Sequence, residues 1–133
     1  MVRRAWDRLT VSGITASRLA LGAALEAADL RVAYDPGRIT PPAVLVAPVD
    51  PWVSPSGLAT VSRSIRWRLV AVAGRVDVEV TLEDLEDLVA AALVAVHTLK
   101  GWGTPTWDAP GTVDLGGAQY LAAIGRVEHM TEV

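Results

Sequence analysis

The segment 81–99, TLEDLEDLVAAALVAVHTL, constrains the fold more than any other stretch of the chain. Its apolar residues recur at steps of three and four, which predicts a helix with one continuous apolar stripe. Thr81 and Asp84 fit a capping box at its start, and Gly101 is placed to end it. Residues 88–96 carry no charge, so we expect this half to be covered on most sides. The stripe consists of Leu82, Leu85, Leu88, Val89, Ala92, Leu93, Val96 and Leu99.

The first turns of this helix are acidic, and four carboxylates in a row raise the question of a metal site. Carboxylates are also favoured at the positive end of a helix, and a solvated helix start is the commoner reason for such a cluster. The two histidines have no second His or Cys at a ligand spacing, so we expect His97 to cover the helix end and His129 to lie on a strand edge. We expect no metal and no cofactor. The four acids are Glu83, Asp84, Glu86 and Asp87.

Composition narrows the possible functions. A chain of 133 residues suits one domain, and a net charge of −3 argues against a nucleic-acid-binding domain dominated by a basic patch. The absence of cysteine excludes a disulfide framework and fits a protein made in a reducing cytoplasm. The longest uncharged apolar run is about half the length that spans a bilayer, which predicts a soluble protein.

The part of the chain before this helix predicts one further helix and several strands. From Thr15 the sequence ASRLALGAALEAA indicates a helix, and its small residues would allow close approach to a sheet. Strands are expected at 30–34 and 43–48, and a Pro-, Ser- and Gly-rich loop at 50–59, with Trp52 at its tip. The predicted packing face of the helix is Leu19, Ala20, Ala23, Ala24 and Ala27.

Residues 60–73 form the longest strand candidate. One of its faces is largely apolar, whereas the other begins polar and turns apolar, so we expect the polar end to protrude from the sheet. Residues 75–80 alternate again and either continue this strand or pair with it. The first face is Val61, Arg63, Ile65, Trp67, Leu69 and Ala71; the second is Ser62, Ser64, Arg66, Arg68, Val70 and Val72.

After the central helix, residues 101–110 predict a loop, 111–115 a short strand and 118–130 a long final strand. Gly116 and Gly117 indicate the turn between the two strands, and Gly125 a bulge. Consecutive strands without regular alternation with helices favour an α+β fold. We therefore expect one domain over 1–133, with a mostly antiparallel sheet packed against a long core helix and an N-terminal helix.

No catalytic constellation can be assembled from these residues. The chain has no P-loop and no Gly-x-Ser-x-Gly elbow, so we expect no enzyme. The most informative exposed candidates are three strand arginines, which suit phosphate or a neighbouring subunit, and three loop tryptophans, which suit local packing or a protein interface. Trp6 and Trp67 are expected in the core or against another subunit. The interface candidates are Trp52, Arg63, Arg66, Arg68, Trp102 and Trp107.

The layout over residues 15–130 resembles the tail terminator (tail completion) proteins of long-tailed, siphovirus-type bacteriophages. The resemblance is one of pattern and spacing rather than of a single motif. It is carried by the stretches ALEAA, ITPPAVLVAPVDPW, SIRWRLVAVAG, TLEDLEDLVAAALVAV and GTVDLGGAQYLAAIGRVEH.

The resemblance implies an α+β sandwich that forms a ring, usually of six subunits, at the head-proximal end of the tail tube. Such a ring ends tube polymerisation and offers a docking surface to the head connector or head-closure protein. It implies a virion protein assembled in the host cytoplasm, with genome DNA passing through the lumen without specific binding, no cofactor and no membrane. By analogy, residues 52–68 and the 102–107 loop would contact the tube and other subunits.

Three other classes remain open, the first of them implied by the same resemblance and the other two by the residues. The nearest is a related neck or tube protein, such as a head-closure protein or a tube subunit. A small-molecule-binding or enzymatic α+β module would require an apolar pocket with convergent polar groups. A nucleic-acid-binding adaptor acting through Arg63, Arg66 and Arg68 would bind DNA with strong salt dependence.

Overall fold

A computed structural model describes residues 12–55, 62–76 and 80–132. Over these residues the chain forms an α+β domain with two helices and a six-stranded sheet. Trp6, predicted to be in the core or against another subunit, lies outside the described residues. The elements in order are α1 (Ser12–Ala27), β1 (Val32–Ala33), a 3₁₀ turn (Pro36–Arg38), β2 (Ala43–Pro55), β3 (Ser62–Arg75), α2 (Leu82–His97), β4 (Thr106–Trp107), β5 (Gly111–Leu115) and β6 (Ala118–Glu132).

The sheet is mixed. Its strand order is β1-β2-β3-β6-β4, and β5 also pairs with β6. All these pairs are antiparallel except β1 with β2, which is parallel. Both helices lie on one face of the sheet, where α1 contacts β1 and β3, and α2 contacts β3 and β6. The predicted α+β class is confirmed, and the antiparallel prediction holds for every described pair but the first.

The capping box of α2 is confirmed. The Asp84 backbone N–H donates to Thr81 Oγ1 at 3.1 Å, and the Thr81 N–H donates to Asp84 Oδ2 at 3.0 Å. The helix ends at His97, with Thr98 as its cap. Gly101 follows with a φ of +82°, a value that glycine adopts without strain. The start of the helix is therefore set by local sequence, whereas the prediction that Gly101 ends it is wrong, because the helix is already capped at Thr98.

Only part of the predicted stripe of α2 is buried. Leu85, Leu88 and Ala92 are buried, whereas Leu82 is 53% exposed. Val94, in the uncharged half, is 67% exposed. Seven of the nine residues 88–96 are buried or half-buried, so the expectation that this half is covered on most sides holds, with Ala90 and Val94 as the exceptions. One apolar side of α2 faces away from the sheet.

The packing face predicted for α1 is wrong. Leu19 is 53% exposed, and the buried line runs instead through Ser17, Leu21 and Leu25. These three residues are spaced four apart and project from one side of the helix. The larger leucines bury more apolar area than the alanines do. Because the line also contains the polar Ser17, a search for apolar residues at helical spacing does not find it.

Strand β2 is longer than predicted. Its pairing with β3 shifts between Pro48 and Val53 and then resumes to Pro55. The prolines fall around this irregularity, where a missing ladder hydrogen bond is tolerated. The predicted loop is therefore strand up to Pro55, and Trp52 lies on that strand; the rest of the predicted loop, 56–59, lies outside the described residues.

Strand β3 does not protrude from the sheet. It has β2 on one side and β6 on the other, and its polar half is paired on both sides, with Arg63 opposite Pro55 and Thr131. The alternation of faces is confirmed, because Ile65, Trp67 and Leu69 are buried on the helix side. The predicted extension over 75–80 lies partly outside the described residues.

The last hairpin is confirmed. Gly116 and Gly117 have φ values of +59° and +87°, which is the conformation of a tight β-hairpin turn. The bulge predicted at Gly125 is wrong, because Gly125 pairs in register with Leu69 and the irregularity lies near Gly74. Gly125 instead leaves space for a ring: a Cβ there would lie 2.7 Å from Trp107 Cδ2.

The two faces of the sheet carry different clusters. The main core lies between the sheet and the helices and includes Trp67 and Leu85. On the other face, a smaller cluster around Val70, Val72 and Tyr120 is covered by Ile39 and β5 residues. Neither described helix is long and apolar enough to cross a membrane.

Candidate functional site

An aromatic cleft opens where α1 meets the β1–β2 side of the sheet. The Trp52 indole is 41% exposed and meets the buried Trp67 edge to face, with 5.9 Å between ring centroids. The cleft has a volume of about 360 Å³. Its lining residues are Ile14, Thr15, Arg18, Tyr34, Val46, Pro48, Trp52 and Trp67.

Arg18 is the charged residue of the aromatic cleft. Its guanidinium carbon lies 5.3 Å from the centroid of the Tyr34 ring, within the range of a cation–π contact. Its Nε is buried and has no hydrogen-bond partner among the described residues. Gly22 leaves room for the Tyr34 hydroxyl, and burial followed by the Glu26 charge raises the pKa of that phenol. The cleft thus combines aromatic surface with an unsatisfied donor.

A second apolar surface lies on the opposite flank, at the β4 side of the sheet. Ala90 and Val94 are exposed on α2, one turn apart and in line with Glu86. We call these three residues the outer ridge. Beside it, a groove of about 300 Å³ separates α2 from Trp107 and neighbouring residues.

Trp102 and Trp107 are half-buried and packed locally. The Trp102 ring stacks on His129 with 4.3 Å between centroids and 4° between planes. Trp107 lies on Gly125 as part of β4, although its buried Nε1 has no hydrogen-bond partner among the described residues. The segment 101–110 is therefore not a free loop, and Trp52 is the most exposed of the three predicted interface tryptophans.

A buried polar network joins α1 to β3 and β6. Trp67 Nε1 donates to Ser17 Oγ at 2.9 Å, and Ser17 Oγ lies 2.8 Å from His129 Nδ1. Burial lowers the pKa of His129, which favours the neutral ring in this contact. His129 thus lies on the helix side of the sheet between Trp102 and Ser17, rather than at a free strand edge as predicted.

This serine–histidine pair was not found from the sequence, because its members are 112 positions apart and no motif marks either one. Its geometry resembles that of a nucleophile and base. However, Ser17 is 1% exposed, and its hydroxyl already accepts the Trp67 N–H. A nucleophile must reach its substrate, so the geometry supports a structural role in fixing α1 to the sheet.

The three predicted arginines do not form one patch. Arg63 lies on the helix side of β3, whereas Arg66 and Arg68 alternate onto the other face. Arg66 Nε contacts Glu128 Oε2 at 3.1 Å.

Arg68 is exposed and lies opposite Arg126. Arg126 in turn makes two hydrogen bonds to Asp108, at 3.1 and 3.2 Å, and Asp108 raises its pKa. Nearby, a cleft of about 380 Å³ is lined by Asp50 and Glu128 as well as by arginines. This charged face therefore carries both signs, an arrangement that argues against phosphate binding dominated by arginine.

The acidic start of α2 is explained locally. Asp84 belongs to the capping box, and the other three carboxylates are exposed near the helix N-terminus. The described residues contain no group of three or more potential metal ligands close enough to hold an ion.

No family model matches the chain, and a search of the curated proteins finds no match.

Proposed function

We propose that the protein is a phage tail terminator: a ring, with six subunits as the expected number, that caps the head-proximal end of the tail tube. In this role it ends tube polymerisation and presents a docking surface to the head connector or head-closure protein. Its partners are further copies of itself, the tail tube protein and that connector, and its place is the virion tail.

The observation that carries the proposal is the position of the exposed apolar residues. Tyr34 and Trp52 are 42% and 41% exposed at the β1–β2 side of the sheet, whereas Val94 is 67% exposed at the β4 side. A closed ring is built from head-to-tail contacts, which require two different surfaces on each subunit. Large apolar side chains on two opposite flanks supply such surfaces.

The electrostatics are compatible with a DNA conduit. The net charge is −3, and the described arginines of the charged face are interspersed with Glu128 and Asp108. A lumen lined by unpaired arginines would retain phosphate through counterion release. Balanced charge instead lets DNA pass without being held.

The first experiment measures mass in solution by light scattering over a concentration series, with negative-stain images of the largest species. Discrete rings near six subunits are the expected result. Open-ended hollow filaments would identify a tube subunit instead, and a monomer at every concentration would rule out a preformed ring.

A substitution tests the capping role itself. Trp52→Ala should leave the circular dichroism spectrum unchanged, because this side chain is partly exposed, and should weaken capping so that tails grow longer. Tails of normal length with this variant would contradict a capping role for Trp52.

A further inference from the structure

The two exposed apolar surfaces differ in shape. The aromatic cleft is concave, with Tyr34 and Trp52 exposed at its border. The outer ridge is convex, because it follows one side of a helix and Val94 projects with 67% of its surface exposed. Because the two surfaces lie on opposite flanks, they cannot meet within one copy of the chain. The concave surface of one copy can only receive the convex surface of another.

The two surfaces also differ in charge. In the aromatic cleft, Arg18 has a buried Nε without a partner among the described residues. On the outer ridge, Glu86 is exposed and precedes Val94 by two helical turns. The sequence of α2 contains four acidic residues and no lysine or arginine. A carboxylate beside Arg18 would pair with the charge of its guanidinium in a charge-assisted hydrogen bond.

The residue types of the cleft are those of protein interfaces. Trp, Tyr and Arg are the most enriched residues among interface hot spots, and the cleft contains all three. An aliphatic side chain such as Val94 suits the apolar area between the rings. The observations therefore favour a protein ridge over a small polar ligand as the occupant.

We propose that the aromatic cleft of one copy receives the outer ridge of the next, with Val94 between Tyr34 and Trp52 and Glu86 against Arg18. This is the head-to-tail contact of the ring, and it rests on the proposed function. The contact assigns a role to α2 that its burial in the core does not explain, because the same helix packs the sheet with one side and a neighbouring subunit with the other.

Cysteine cross-linking tests the contact directly, because the chain contains no cysteine of its own. Thr15 lines the cleft and Val94 lies on the ridge, and both tolerate replacement by a residue of similar size. A protein carrying both Thr15→Cys and Val94→Cys should form a ladder of disulfide-linked chains on mild oxidation. Neither single variant should link, since a head-to-tail contact never brings two copies of the same residue together.

The matched control pairs Val94→Cys with Met130→Cys. Met130 is 52% exposed but lies on the sheet face opposite the helices, so this pair should give no ladder. Dimers from Val94→Cys alone would show a two-fold contact and overturn the proposal.

Charge reversal tests the ion pair. Glu86→Arg alone and Arg18→Glu alone should each raise the dissociation constant of the assembly by about tenfold or more, and the double reversal should restore most of the loss. Circular dichroism of each variant checks that the domain remains folded. A double variant no better than the worse single variant would overturn the pairing of Glu86 with Arg18.

The outcomes separate this contact from the proposed function. Wild-type rings with no ladder from the Thr15–Val94 pair would leave the ring standing and overturn the contact. A ladder that continues into long filaments would support the contact and overturn the terminator function. Monomers that give no ladder at any concentration would overturn the contact and rule out a preformed ring.

Discussion

The two faces of the sheet have different surroundings, although successive residues of the same strands alternate between them. On the helix side, Trp67 and Leu69 of β3 are buried against the two helices. On the other side, Arg66 and Arg68 share the open end of the sheet with Glu128 of β6. Neighbouring positions of one strand therefore differ completely in their surroundings.

The difference lies in how each face is stabilised. The helix side relies on fixed shapes, such as the Trp107 ring against Gly125, and close packing tolerates small changes in volume badly. The other face has a smaller apolar cluster around Val70 and Tyr120. Its open end carries ion pairs that are more than a third exposed, and such pairs contribute little because water screens them. Substitutions should reveal this contrast.

The largest contrast is expected between adjacent residues of β3. Trp67→Ala should lower the free energy of unfolding by about 3–5 kcal/mol, since it leaves a cavity and removes the donor to Ser17. Arg68→Ala should change it by less than about 0.5 kcal/mol. Urea unfolding of both variants measures the difference, and similar losses would contradict the assignment of the two faces.

A smaller effect is expected at Gly125. Gly125→Ala should lower the free energy of unfolding by about 1–3 kcal/mol, because the new methyl group overlaps the Trp107 ring. Gly111→Ala is the matched control, since a Cβ there meets nothing within 4 Å. Thermal melts compare the two. A Gly125→Ala protein as stable as the control would show that Trp107 does not occupy this space.

Lowering the pH should weaken the helix side through His129. Burial lowers its pKa in the folded protein below the ordinary value of about 6.5, so the unfolded state binds the proton more readily. The stabilising contribution is complete above that ordinary value and is lost as pH falls through the folded pKa. Urea unfolding from about pH 7.5 to 5 should show this slope, and His129→Gln should reduce it. If the free energy of unfolding of His129→Gln depends on pH as strongly as that of the wild type, a group other than His129 is responsible.

The smallest effect is expected on the open face. Arg66→Ala or Glu128→Gln should each lower the free energy of unfolding by at most about 1 kcal/mol, because both side chains of this pair are more than a third exposed. The loss should shrink in high salt. A cost above that of Gly125→Ala would mean that the open face is covered in solution.

The sequence predicted what local chemistry determines. The start of α2 follows from Thr81 and Asp84, and the last hairpin follows from Gly116 and Gly117. Each of these signals acts over a few residues. The alternation along β3 is equally local, because side chains of a strand point to opposite faces whatever its neighbours are.

Features that depend on distant partners were not predictable. The buried face of α1 contains Ser17, whose place is explained only by Trp67 and His129. A glycine inside a strand, such as Gly125, suggests a bulge from sequence alone, and only the structure shows that the Trp107 ring lies against it. In the same way, the prolines of β2 suggested a loop until their position around a register shift was seen.

The candidate site was predicted in part. Trp52 is on a surface as expected, but the sequence did not show the cleft that it shares with Arg18 and Tyr34. The exposed side of α2 was missed, because an uncharged helical segment suggests burial and nothing local indicates that Val94 faces outwards. The interface role of all six predicted residues stays a prediction.

The position of β6 has a consequence for how the chain reaches this structure. This strand pairs with β3, β4 and β5. Its pairing with β3 joins residue 62 to residue 132, so the two paired strands are far apart in the sequence. Pairing of such distant segments requires a large loop to close first, which slows folding. The pairing of β6 with β3 and β4 cannot form until β6 has been synthesised. Up to that moment, β1, β2 and β3 can pair only with one another and one side of β3 stays unpaired, so the folding rate should depend chiefly on the docking of the final strand.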